Sequence, residues 1–485
     1  MVSEVEKELA RGTPPDRIGY VSFTRRAAQE AIDRACARFK LQKTDFPYFS
    51  TVHSLCFRQL GLKRGDVLEG VKMKDFARFA GVRISGRLSE DGTWAGYDDG
   101  DRILFMENLA RIRGVPLRDA YDRFGDDDLP WAKVQVVTAA LREFKRARGL
   151  MDFTDMLLEF VRSGIQVKLD FLGVDEAQDL SWAQWRVVDS VAQHSRRQVV
   201  AGDDDQAIYR WAGADADHLI LMAGDVEVLG QSWRVPRSVQ RVALGIVPHI
   251  GRRRDKPWVA RAGGDGAVEQ TPHVQNVDFG TGNVLVLTRN VYILTEQIEP
   301  WLRQQGIVYE RNGRSSIPAG LLDVIQDWEA LRGGAGRTAS AVRRVFESMT
   351  AGRGYRRGFG RLPGREDDEI VSKDELLREG TLLTGQPWFD ALDKLPKQDT
   401  EYVRAARARG EKITAKPRVT ISTIHGSKGG EADHVVLLTE MAARTYREMR
   451  SAPQDEARVW YVGATRAREK LTIVRSSTER RCPWL

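Results

Sequence analysis

Two acidic stretches hold the residues best suited to chemistry. Asp175-Glu176-Ala177-Gln178-Asp179 follows an apolar run ending at Val174, and Gly202-Asp203-Asp204-Asp205-Gln206 follows another ending at Ala201. A carboxylate at the end of a buried strand suits a magnesium ion held through its water shell, and a neighbouring Glu can polarise an attacking water. An Asp-Glu pair alone would read as a solvated acidic turn; the longer stretch after an apolar strand favours the metal. Gln206, on the adjacent loop, suits hydrogen bonding to a terminal phosphate. Tyr209 and Trp211 flank Arg210 directly afterwards. Two aromatics around a cation are what base stacking combined with phosphate attraction needs. Core packing of both rings is the competing reading, and the Arg and Ala-Gly around Trp211 argue against it.

These side chains need strands and helices to hold them. The opening twelve residues read as an amphipathic helix with Val2, Val5 and Leu9 on one face, stopped by Gly12 and Pro14-Pro15. A short apolar strand, 18–23, precedes a helical stretch, 25–39. A second strand-then-helix step is predicted over 167–174 and 181–194, with a further strand at 198–201. Such alternation predicts a parallel α/β sheet, whose ligands lie at the C-terminal ends of its strands. The grammar restarts near Leu229, with strands predicted at 283–288, 418–423 and 435–439. Between lie a polar helical stretch and a Gly- and Arg-rich region. Residues 351–365 read as a flexible loop whose Arg353, Arg356, Arg357 and Arg361 could meet duplex phosphates or simply solvent. No internal repeat is evident.

The fold class expected is therefore α/β, with two parallel-sheet domains that each carry a mostly helical insertion. The boundaries are 1–62 with 150–228 for the first, 63–149 for its insertion, 229–310 with 415–485 for the second, and 311–414 for its compact insertion.

Composition excludes several classes. Of 485 residues, 42% are hydrophobic and 29% charged, which rules out a disordered or collagen-like chain. No uncharged apolar run approaches the ~18 residues of a membrane span. The N-terminus lacks the pattern of a signal peptide. Three scattered cysteines give neither a disulfide framework nor a zinc module. A cytoplasmic location and a monomer are the expectations. The net charge of +7 is compatible with a nucleic-acid partner.

At motif level the chain resembles superfamily 1 DNA helicases of the UvrD/Rep/PcrA type. Val21–Ala28 (VSFTRRAA) resembles motif Ia and Ser50–Cys56 (STVHSLC) motif Ib. DEAQD, 175–179, resembles motif II, and GDDDQAIYRWAGA, 202–214, motif III. Gln231-Ser232-Trp233-Arg234 is similar to motif IV, Thr423–Glu431 (TIHGSKGGE) to motif V and Glu456–Ala467 (EARVWYVGATRA) to motif VI. Seven motifs in one order, spread over nearly the whole chain, are not coincidence.

The resemblance implies that both sheet domains are RecA-like motor domains, the first expected to lack its first strand and phosphate loop, with ATP and Mg²⁺ as cofactors and single-stranded DNA and single-strand/duplex junctions as partners. ATP would bind in the cleft between the two motor domains, and movement would run 3′→5′. Asp175 would hold the metal and Glu176 would activate water. Gln206 would couple the γ-phosphate to DNA, with Arg234 and Arg466 as arginine fingers. Trp233, where the family has Tyr, would stack on adenine, and Glu431 would accept a ribose hydroxyl. Phe23, Tyr209 and Trp211 would stack on bases, with Thr24, His53 and His425 beside the strand. For His53 and His425 a purely structural role is an equal reading.

One departure stands out. The family's phosphate loop, G-x-x-x-x-G-K-T/S, does not occur in the 485 residues, and Gly333–Thr338 is only a superficial look-alike. An N-terminally truncated form with impaired ATPase is expected. The alternative is an ATP-independent single-stranded DNA-binding relic.

Overall fold

The computed structural model describes residues 1–23, 25–85, 87–88, 94–95, 98–125 and 128–485. Two units are distinguishable. One comprises Met1–Val228 with Val247–Pro257 and Pro453–Arg458, the other the remainder.

In the first unit, β1 (Ile18–Ser22), β2 (Phe49–Thr51), β3 (Leu169–Asp175) and β4 (Ser195–Val200) form a parallel sheet in the order β2-β1-β3-β4. Every residue of β1 is buried, as expected where helices cover both faces. On one face Ile18, Tyr20 and Phe171 pack with Val5 of the helix Val2–Ala10 and with Ala31 and Ala35 of the helix Arg25–Phe39. On the other, Val21, Leu172 and Val174 pack against Leu55, Leu157, Phe160 and Trp185. The alternation along each strand decides which carboxylates reach which face.

Element types match the sequence reading, and several bounds differ. The strand predicted over 167–174 runs from Leu169 to Asp175, so Asp175 is its last paired residue. The strand predicted at 198–201 begins at Ser195, because backbone pairing with β3 recruits Ser195-Arg196-Arg197 whatever their polarity. Trp182–Ala192 is capped by Ser181, whose Oγ accepts from Gln184 N while Gln184 returns a bond to Ser181 N. Such a box contributes on the order of 1 kcal/mol.

The helices Val71–Ala80, Asp99–Arg113, Leu117–Phe124 and Trp131–Arg148 enclose a core of their own around Phe76, Ile103, Met106, Leu141 and Phe144. A buried ionic knot fastens them to the helix Phe153–Ser163. Arg111 meets Glu107 and Asp152 at 2.7 Å and Asp155 at 2.9 Å, and Lys145 meets Asp152 and Asp155 at 2.6 Å.

The second unit holds a seven-stranded sheet. Its strands are β5 (Ala267–Thr271), β6 (Val284–Thr288), β7 (Tyr309–Arg311), β8 (Arg314–Ser315), β9 (Val419–Thr423), β10 (Ala432–Leu438) and β11 (Ala467–Val474), in the order β8-β7-β9-β6-β10-β11-β5. All neighbours are parallel except β7 and β8. A separate core gathers Ile325, Trp328, Val342, Phe346, Trp388 and Val403. The stretch 351–365, read as a flexible loop, is anchored to that core. Tyr355 stacks on Phe346 at 4.7 Å, Leu362 is buried, and Arg365 collects Glu369, Glu375 and Glu379.

Val247–Pro257 and Pro453–Arg458 group with the first unit. Arg253, Lys256 and Arg458 close on the Asp204-Asp205 turn.

Candidate motor and nucleic-acid site

In the first unit the two acidic stretches lie side by side at the ends of β3 and β4. Asp175 terminates β3, and its Oδ2 accepts the hydroxyl of Tyr20. Gly173 pairs with Tyr20 in the register, and a Cβ there would crowd Met1 Sδ at 3.0 Å and Phe171 at 3.1 Å. The other oxygen, Oδ1, accepts Glu176 N at 3.0 Å.

Glu176 turns the chain in the left-handed region, φ 53°, a conformation costly for a side-chain-bearing residue. Gln178 then joins the two stretches. Its Nε2 donates to Glu176 Oε2 at 2.6 Å and its Oε1 accepts Asp203 N at 3.0 Å. Gly202 leaves room for this contact, since a Cβ there would fall 2.6 Å from Gln178 Oε1. Asp203 in turn accepts Gln206 Nε2 at 2.6 Å and Asp205 N at 3.1 Å. Desolvation raises the Asp203 carboxyl above the usual carboxylate range, against the pull of Lys256.

A cationic clamp holds the rest of that turn. Arg253 grips Asp205 with two bonds of 2.8 Å, and Lys256 lies 2.5 Å from Asp204 and 3.1 Å from Asp205. Arg458 Nε donates to Asp204 O at 2.9 Å. Burial raises the Asp205 carboxyl, but Arg253 and Lys256 outweigh it and hold the group low. Sequence reasoning missed Tyr20, Gln178, Arg253, Lys256 and Arg458 as site residues. The signal was the run Arg252-Arg253-Arg254-Asp255-Lys256, whose charge mirrors Asp203–Asp205.

The aromatic candidates meet. Phe23 and Tyr209 face each other with centroids 5.5 Å apart and planes 33° tilted. Trp211 is 40% exposed. Arg210 is engaged with Asp455 at 3.1 Å and Asp217 at 3.6 Å, so it is not the open phosphate cation that the spacing suggested. His53 is buried, edge-on to Phe153 at 5.9 Å. Thr24 lies outside the described residues.

In the second unit Trp233 stands 84% exposed after Ser232, whose Oγ accepts Arg234 N and Val235 N. Arg234 lies 3.9 Å from Glu431, and Glu431 is bound at 2.6 Å by Arg468. Glu431 is therefore already engaged by guanidinium groups. His425 opens a short helical turn, His425–Ser427, after β9. Arg466 is turned inward. It is 2% exposed, and Nε donates to Val462 O at 2.9 Å and Nη1 to Gly430 O at 3.4 Å. A guanidinium held by carbonyls inside the unit reaches a phosphate only by giving them up.

Asp175 fits a hydrated magnesium ion, which needs one or two carboxylates and keeps its waters. Among the described residues no group of three His, Cys, Asp or Glu side chains would enclose a bare metal. Trp233 offers an open ring to a base, and Arg234 a charge one residue away.

Known proteins are similar to this chain in sequence. The model of the UvrD/REP helicase N-terminal domain matches residues 1–84 and 101–227, and that of the UvrD-like helicase C-terminal domain matches 401–478. The ATP-dependent DNA helicase PcrA of Leuconostoc citreum is 28% identical over 273 residues, 52% of this chain and 35% of that protein. The ATP-dependent DNA helicase Rep of Escherichia coli K12 is 27% identical over 260 residues, 49% of this chain and 37% of that one. PcrA of Bacillus subtilis is 23% identical over 350 residues, 64% of this chain and 43% of its own length. The chain thus matches well under half the length of these relatives. No helix among the described residues is long and apolar enough to cross a membrane.

Proposed function

Because this chain belongs to the UvrD/Rep-type superfamily 1 helicases, we propose that it is the motor body of an ATP-dependent single-stranded DNA translocase or helicase. The observation that supports this best is the Phe23–Tyr209 ring pair, carried on the same unit as the Gln178-linked acidic stretches. Bound ATP with magnesium would supply free energy through hydrolysis of its terminal phosphoanhydride. Asp175 would hold the metal's water shell, and Glu176 would take a proton from the attacking water. Gln206, three residues before Tyr209, would link phosphate occupancy to the aromatic pair. Trp233 would stack on adenine, and Arg234 would neutralise charge on the phosphates. Arg466 would join it only after leaving Val462 and Gly430. Polarity of 3′→5′ follows from the family resemblance.

The 485 residues contain no G-x-x-x-x-G-K-T/S, so ATP turnover by residues 1–485 is expected to be weak, while single-stranded DNA is still bound. A DNA-stimulated phosphate-release assay together with oligothymidylate anisotropy tests both. Family-like turnover would overturn the impaired-ATPase expectation. Absence of single-stranded DNA binding would overturn the motor reading. DNA binding indifferent to ATP, even when a phosphate-loop segment is supplied, would favour the ATP-independent binding protein.

A further inference from the structure

The second unit contains a cavity of about 340 Å³ lined by Gln231, Arg237, Gln240, Val259, Arg261 and Asp265, with the Ala262–Gly264 turn beside them. Trp233, Arg234 and Glu431 do not line it. Its size suits one small ligand.

The walls are fixed from below. Gln231 Nε2 donates to Ser232 O at 2.8 Å and Ala260 O at 2.9 Å, and Gln240 Nε2 donates to Trp258 O at 2.6 Å. Gln231 spends both N–H groups and Gln240 one of its two on backbone carbonyls, and both side-chain oxygens are acceptors. Arg261 N donates to Val235 O at 2.9 Å, which fixes that residue's place. Its side-chain Nε is buried and meets no acceptor among the described residues. Arg237 has a long contact of 3.7 Å to Asp265. Val259 presents an apolar wall, 58% exposed. A buried donor without an acceptor is costly, and guanidinium forks match phosphate oxygens in pairs.

The cavity therefore offers cations, neutral acceptors and an apolar wall together. We propose that it binds a phosphorylated nucleoside, either as a free nucleotide or as one unit of a DNA strand. Arg237 and Arg261 take the phosphate. The oxygens of Gln231 and Gln240 with Asp265 accept from base and sugar donors, and Val259 lies against a ring. This site is separate from the motor reading and does not rest on it.

Calorimetric titration of residues 1–485 with AMP and with inorganic phosphate tests the proposal. AMP binding is expected to weaken at least tenfold in Arg261→Gln and in Arg237→Gln. Arg261→Lys, which keeps the charge and loses the fork, is expected to fall between, and covers the case in which Arg261→Gln does not fold. AMP affinity lost in Trp233→Ala but retained in the arginine variants would overturn the assignment. AMP bound no more tightly than inorganic phosphate would overturn its nucleoside part. Oligothymidylate binding by a Phe23→Ala/Tyr209→Ala background separates the sources. A further loss on adding Arg261→Gln identifies a strand as the ligand; no further loss, with AMP binding still dependent on Arg261, identifies the free nucleotide.

Discussion

Gln178 Oε1 accepts the backbone N–H of Asp203 at 3.0 Å while the same carboxamide donates to Glu176 at 2.6 Å. One side chain thus ties the residue expected to activate water to the turn that carries Gln206. Gln178→Ala leaves the half-buried Asp203 N–H and the Glu176 carboxylate without this partner, and is expected to cost about 1–3 kcal/mol. Gly202→Ala pushes a Cβ against the same oxygen and should lower the urea midpoint in the same direction. Equilibrium urea unfolding checks both, and an unchanged midpoint in both variants would remove the bridge from the account.

The aromatic pair makes a separable claim. Phe23→Ala and Tyr209→Ala are each expected to weaken oligothymidylate binding by about 1–3 kcal/mol, the range for one stacked base. The salt dependence should keep its slope, because no phosphate contact is removed. Anisotropy titrations at several salt concentrations decide this; a changed slope at constant affinity would argue against stacking.

The clamp on Asp204 and Asp205 is expected to govern stability. Lys256→Met strands carboxylates that are nearly inaccessible to water, and removal of one partner from such a pair costs about 3–5 kcal/mol. Arg253→Ala should act in the same direction. Thermal melting is the measurement, and loss of Val247–Pro257 protection in hydrogen exchange would localise the effect.

His434 sets a pH window. It is buried on β10, bonded to Thr472 Oγ1 at 2.8 Å. Burial, aided by Lys470, pulls its pKa down from 6.5 to about 4. The unfolded chain takes up this proton below pH 6.5 and the folded chain does not. The contribution is therefore complete above pH 6.5 and is lost as pH falls towards 4, by up to about 3 kcal/mol. His434→Gln should flatten urea stability across that window.

The buried knot in the insertion behaves differently. Desolvation would raise Asp152, but Arg111 and Lys145 hold it far below the carboxylate range, whereas desolvation and the neighbouring Asp152 raise Asp155. Asp152 adds stability that is present above its unfolded value and lost in acid. Asp155 opposes folding as pH rises between its unfolded and its raised folded value. Arg111→Met is expected to destabilise by about 3–5 kcal/mol, and chemical denaturation at neutral pH measures it.

What the sequence made legible was chemistry that lives in short stretches. Asp175 and Glu176 at a strand end, and Tyr209 beside Arg210, follow from residue types and strand endings, and Phe23 from the family resemblance; that the Phe23 and Tyr209 rings face each other did not. Burial and pairing did not follow. Arg466 and Arg210 carry the same formal charge as Arg234, yet one is turned onto Val462 and Gly430 and the other onto Asp455 and Asp217. Lys256 and Arg458 show the converse. Their partners lie far along the chain, so only the folded backbone reveals that they hold the Asp204-Asp205 turn.

The left-handed turn at Glu176 carries an implication for engineering. A side chain there costs on the order of 1–2 kcal/mol relative to glycine, which adopts φ 53° freely. Against that strain stands the bond from Gln178 Nε2, which Glu176→Gly would give up. A stability selection at position 176 therefore weighs backbone relief against a lost side-chain partner, and the two changes oppose each other.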